Sequence, residues 1–111
     1  MSGEPSYLEL CVEDADAARA FYGGLLGWAA SDSHGPGQVE TASLGIGIHD
    51  GDPSALFEVF FAVTDLDSSL AKVVELGGRV LGEVHDGAGF GRWAECQDDQ
   101  GTRFGLRQQP S

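Results

Sequence analysis

The chain has 111 residues, 41% of them hydrophobic, and carries 18 acidic against 6 basic side chains for a formal charge of −12. That length suits one domain with a real core and no room for a second, and no apolar run approaches the roughly 20 residues that span a bilayer. A field of this sign repels nucleic acid and anionic lipid and favours cationic or neutral ligands.

Residues 1–6 read as a loose tail, and nothing in them has the charged and apolar regions of a signal peptide, so a cytoplasmic location is expected. Tyr7 to Val12 reads as a strand, with Leu8, Leu10 and Val12 on one face and Tyr7, Glu9 and Cys11 on the other. Asp14 is placed to cap a helix from Ala15 to Leu26. Ala18, Phe21, Tyr22 and Leu25 form its apolar stripe, and Gly27 its stop. Trp28 to Ser31 predicts a second strand, residues 33–37 a turn, and Val39 to Leu44 a third strand. Gly45 to Ile48 is either a fourth strand or the continuation of the third. Asp50 to Ser54 reads as a linker.

A second strand–helix sequence follows. Val59 to Val63 is a β-branched and aromatic run, Asp65 a cap, and Leu66, Leu70, Val73 and Val74 a helical stripe ended by Gly77 and Gly78. Arg79 to Glu83 predicts a strand, residues 85–91 a glycine-rich loop, and Arg92 to Gln97 another strand. Asp98 to Gly101 is a hairpin turn into a last strand, Thr102 to Arg107.

Val12, Asp14, Asp16 and Gly27 recur as Val63, Asp65, Asp67 and Gly78 at a constant shift of 51. Internal repetition of this kind predicts one unit built twice. The expectation is an α+β fold of two β-α-β-β-β modules, about 7–50 and 56–107, joined by a linker at about 50–55. Side by side they would form a curved eight-stranded mixed sheet, with helices on the convex face and a ligand cleft on the concave one.

The repeat, the two Asp-capped helices, the Phe21-Tyr22 and Leu25-Leu26-Gly27-Trp28 run, and the Asp98 to Leu106 turn and strand resemble the vicinal oxygen chelate superfamily. That group includes glyoxalase I, ring-cleaving dioxygenases and the bleomycin- and fosfomycin-resistance proteins. The resemblance implies metal ligands on the first and last strands of each module. Here those positions would be Tyr7, Glu58, Gly105 and either Gly45 or Gly47. Two glycines and one carboxylate do not supply the three or four donors such a centre needs, so neither the usual metal nor another cofactor is expected. The resemblance also implies a homodimer.

By strand parity, Tyr7, Glu9, Glu58, Phe60, Trp93, Glu95 and Arg103 face the cleft, with His49 at its end. Trp93 and Phe60 could stack on a flat or cationic ligand, or pack as plain core. Glu9, Glu58 and Glu95 could bind a cation, line a wet rim or act as acid and base. His34, His49 and His85 lie in loops or at strand ends and read first as surface residues. Cys11 and Cys96 fall on opposite sheet faces and are expected to stay reduced. The leading expectation is metal-independent binding of a small molecule, in the manner of drug sequestration. A lyase or isomerase using the cleft carboxylates is the alternative, and a non-catalytic partner module the third.

Overall fold

A computed structural model describes residues 3–28, 38–40, 44–87 and 89–110. It contains β1 (Pro5–Cys11), α1 (Ala15–Leu26), β2 (Gln38–Glu40), β3 (Gly45–His49), β4 (Leu56–Ala62), α2 (Leu66–Glu75), β5 (Arg79–Gly87), β6 (Gly91–Gln97) and β7 (Arg103–Gln108). The fold is α+β with mixed pairing. β1–β3 and β4–β7 run parallel, while β2–β3, β5–β6 and β6–β7 run antiparallel. Seven strands stand among the described residues, not eight. Of the strand expected at Trp28 to Ser31, only Trp28 is described, and it is not in a strand. The expected third strand begins one residue earlier, at Gln38, and residues 41–43 lie outside the described set.

The chain divides into two compact units, Tyr7–Glu58 and Val59–Ser111, the first six residues belonging with the latter. Of these, residues 3–6 are described, and they are not a loose tail. Gly3 N–H donates to the Ala62 carbonyl, Ala62 N–H to the Glu4 carbonyl, and Pro5 and Ser6 are already in β1.

In the first unit, β1 and β3 pair with Leu8 opposite Ile46 and Leu10 opposite Ile48. Asp14 caps α1: its carboxylate accepts from Ala17 N–H at 3.1 Å, satisfying an amide the helix leaves unpaired. Gly27, at φ 74°, ends the helix in the left-handed region and returns its N–H to Gly23. The expected apolar stripe is only half realised. Ala15 and Ala18 are buried, but Phe21 and Leu25 are 63% and 66% exposed. Helical spacing determines which side chains share a face; it does not supply a neighbour to cover them.

In the second unit, α2 repeats the scheme. Asp65 accepts from Ser68 N–H at 3.2 Å, and Gly77 and Gly78 donate back to Val74 and Val73. Leu66 is fully buried with Cys96 and Leu106, and Phe61, Val63, Leu70, Val73, Val80 and Phe104 pack around them. Val74, expected in the stripe, is 60% exposed. Gln108, one residue past the expected end of the last strand, ends β7 and accepts Leu66 N–H through its side-chain Oε1 at 2.8 Å. Arg92 of β6 grips Asp67 with both guanidinium ends, at 2.9 and 3.3 Å, and holds that carboxyl below its usual range.

β5 does not stop at Glu83. It runs to Gly87 across a register shift between Leu81 and His85, where Gly82 sits at φ 77°. The residues read as a glycine-rich loop are thus mostly strand. At the β5–β6 turn Gly91 is required: its φ is 104°, and a β-carbon there would collide with the Gln108 carbonyl.

Three outcomes are expected for this unit. Asp65→Ala should cost about 1 kcal/mol through its cap and Leu66→Ala about 2–5 kcal/mol through its cavity, both read from urea midpoints. Asp98 accepts the amides of Thr102 and Gln100, and these hydrogen bonds lower its carboxyl pKa. A depressed folded pKa means stability that is present above the ordinary carboxylate range and lost as pH falls through the lowered value. Asp98→Asn should therefore flatten the acid limb of the stability–pH curve; an unchanged limb would remove Asp98 from it.

Candidate functional site

The two faces of the β4-β7-β6-β5 sheet carry different chemistry. Phe61, Leu106, Phe104, Cys96 and Val80 face α2. The alternating residues on the other face are Phe60, Gly105, Arg103, Arg107, Trp93 and Glu95, because side chains change sides at every step. Trp93 is the centre of this second set. Phe60 meets its ring edge-on at 5.7 Å, Phe90 does so at 6.5 Å, and His85 stacks on it at 4.3 Å with planes 22° apart. Arg107 lies over the Phe90 ring at 4.0 Å and donates from Nε to the Phe90 carbonyl at 2.9 Å. Arg103 Nε stands 3.9 Å from a Glu95 carboxylate oxygen. Each aromatic pair contributes about 0.5–1.5 kcal/mol beyond its buried area, so the panel is held by several modest terms.

Gly105 makes the panel possible. It pairs with Phe60 across β4–β7, and a β-carbon at 105 would overlap the Phe60 ring. The ring lies in the space that any other residue would fill.

In the first unit, Tyr7 is buried beside Gly45, and Glu9, half-buried, pairs with Gly47. Glu9 and Phe60 are 51 apart, so Gly47 and Gly105 hold matching places across the two parallel pairs. Glu58 is buried, with 1% exposure. His49 ends β3, opposite Cys11. The last-strand positions where a superfamily metal ligand would stand are therefore glycines, and the one at 105 is filled by a phenyl ring. The residues present do not fit the usual metal centre, and no chemical step is drawn through one.

Of the eight residues expected at the site, the structure brings Phe60, Trp93, Glu95 and Arg103 together on one face of the second unit. Tyr7, Glu9, His49 and Glu58 belong to the first. Sequence reasoning missed His85 and Phe90. His85 is exposed, as expected of a surface residue, but it lies in β5 rather than a loop, and beyond the register shift after Leu81 it stacks on Trp93. The alternation Val84-His85-Asp86 was the available signal. The Cys96 parity held: it packs under α2, and no disulfide joins Cys11 and Cys96. A small open depression between Asp86, Arg92 and Gln108 contains no aromatic side chain and is a weaker candidate than the panel.

What the panel can do is recognise a flat ligand: ring faces and edges supply stacking, Glu95 a negative charge, and the two arginines donors. Comparison with known proteins agrees in fold. A glyoxalase-like domain model matches residues 8–107. The glyoxylase-named protein CFP32 of Mycobacterium tuberculosis is 30% identical over 120 residues, covering 96% of this chain and 46% of its own length. The anthracycline biosynthesis protein DauV of Streptomyces sp. strain C5 is 28% identical over 127 residues, covering 94% and 46%. This chain thus spans about half the length of these relatives. The Streptomyces coelicolor methylmalonyl-CoA epimerase structure superposes with a TM-score of 0.67 at 17% identity, over 100% of this chain and 97% of that one. With 100 consecutive residues matched and the paired β-α-β arrangement in place, the chain belongs to the glyoxalase-like domain family of the vicinal oxygen chelate superfamily.

Proposed function

We propose that this protein binds a flat small molecule, cationic or neutral, against the Trp93 panel, without a metal in the superfamily position. The observation that carries the reading is the Phe60 ring lying where a side chain at 105 would stand, a position whose glycine offers no ligand donor. A site with glycine at a donor position and three rings around one tryptophan is suited to stacking. The net charge of −12 favours cations over anions at long range. Resemblance to a protein named for anthracycline biosynthesis supports a polycyclic ligand. The eight-stranded, two-module sheet with a concave cleft belongs to the proposal, and Tyr7, Glu9, His49 and Glu58 of the first unit remain candidate ligand contacts. The role is sequestration of a drug or metabolite.

The second reading is a lyase or isomerase, and the burial of Glu58 favours it, since a carboxylate removed from water is a frequent proton carrier. The glyoxylase name of a relative points the same way. Association as a homodimer belongs to the proposal. Exposed Phe21, Leu25 and Leu26 leave apolar surface on α1, as self-associating proteins do. Location in the cytoplasm accords with two cysteines outside any disulfide. Among the described residues no helix is long and apolar enough to cross a membrane.

The test uses Trp93 emission in a Trp28→Phe background, titrated with ethidium, an anthracycline, and the anionic anthraquinone-2-sulfonate. Saturable quenching by the cations is expected, weakening with salt and at least about tenfold weaker in Phe60→Ala. A preference for the sulfonate, or indifference to Phe60→Ala, would contradict the proposal. Conversion of a bound compound that ceases in Glu58→Gln would favour the enzyme. A single-chain mass by light scattering at micromolar concentration would remove the dimer.

A further inference from the structure

We propose that the first unit carries a site for a thiophilic divalent transition ion, built from Cys11, His49 and Asp52. One donor atom from each lies within 4.8 Å of the other two. Two of the three meet through strand register: Cys11 and His49 are partners in the parallel β1–β3 pair, 38 positions apart in the chain. The third comes from the turn that follows. Nδ1 of His49 and Oδ2 of Asp52 face each other at 3.4 Å.

The turn is fixed before any ion arrives. Val12 N–H donates to His49, Gly51 N–H to Glu13, and Asp52 N–H to Val12. Asp50 Oδ1 accepts Ala15 N–H at 2.7 Å. Asp52 is oriented through its other oxygen, Oδ1, which accepts the Ser54 amide at 2.9 Å and its hydroxyl at 2.6 Å. That leaves Oδ2 toward the imidazole. Partners of this kind set the direction of a ligand and raise its affinity. Ligand atoms of a tetrahedral ion stand about 3.5 Å apart, given metal–ligand bonds near 2.0–2.3 Å. The triad therefore closes on an ion by side-chain rotation of about an ångström, with no change in backbone.

The donor set selects the metal. Thiolate and imidazole favour zinc, cobalt or copper over magnesium and calcium, which prefer oxygen alone. Three protein donors leave a fourth position for water or a small ligand. Cys11 is buried and its Sγ lies 4.0 Å from the Glu9 carbonyl. On coordination the thiol proton passes to solvent, one for each ion bound. Cys11, His49 and Asp52 all belong to the first unit, and none of them is a glycine position where the superfamily's ligands would stand.

The experiment is titration of the metal-stripped full chain with cobalt(II). One ion per chain is expected, with a thiolate-to-cobalt charge-transfer band in the near ultraviolet, visible bands of a four-coordinate ion, and displacement by zinc. Cys11→Ser should abolish the charge-transfer band, while Cys96→Ser should keep it. His49→Gln alters a side chain that is 61% exposed, so folding is spared, and should weaken uptake at least about tenfold. Absence of uptake, a charge-transfer band that survives Cys11→Ser, or affinity unchanged in His49→Gln would overturn the site.

Discussion

The Phe60 ring lies against the α-carbon of Gly105 across the parallel β4–β7 pair, and the chemistry of the second unit depends on that contact. With any side chain at 105, the ring and the new β-carbon would claim one volume, and close-packed interiors do not tolerate such overlap. With glycine, the ring settles flat enough to offer its edge to Trp93. Phe90, His85 and Arg107 then assemble around the indole. Position 105 is also one where the superfamily resemblance would place a metal ligand, and glycine has no side chain to serve as one.

The face opposite the panel shows why this arrangement is stable. α2 starts where Asp65 and Gln108 satisfy its free amides, and it buries Leu66 among Cys96 and Leu106. β6 is therefore fixed from behind, and Trp93 and Glu95 are presented on the front by alternation alone. No register irregularity interrupts the six β6–β7 pairs from Arg92 to Gln97. In the first unit the parallel β1–β3 pair does analogous work, setting Cys11 beside His49 and Glu9 beside Gly47.

Much of this was legible in the chain. Asp14 and Asp65 announced both helices because a carboxylate before an apolar periodic run has few other uses. Alternation in Arg92–Gln97 separated Trp93 and Glu95 from Cys96. What failed has physical causes. Phe21 and Leu25 share a helical face with buried Ala18, yet periodicity says nothing of what covers a face. The bulge before His85 hides in one glycine, Gly82, among 17 in the chain. Cys11, His49 and Asp52 have no recognisable ligand spacing, since parallel register, not local sequence, makes neighbours of residues 11 and 49.

The central claim is that an aromatic ring occupies the place of a ligand side chain at Gly105. Proton NMR of the unmodified protein tests it most directly, because protons held against a phenyl face are displaced upfield. The Gly105 α-protons should resonate upfield of ordinary strand glycines, show Overhauser contacts to the Phe60 ring, and return to ordinary values in Phe60→Leu. Ordinary Gly105 shifts in the unmodified protein, with no contact to Phe60, would contradict the account.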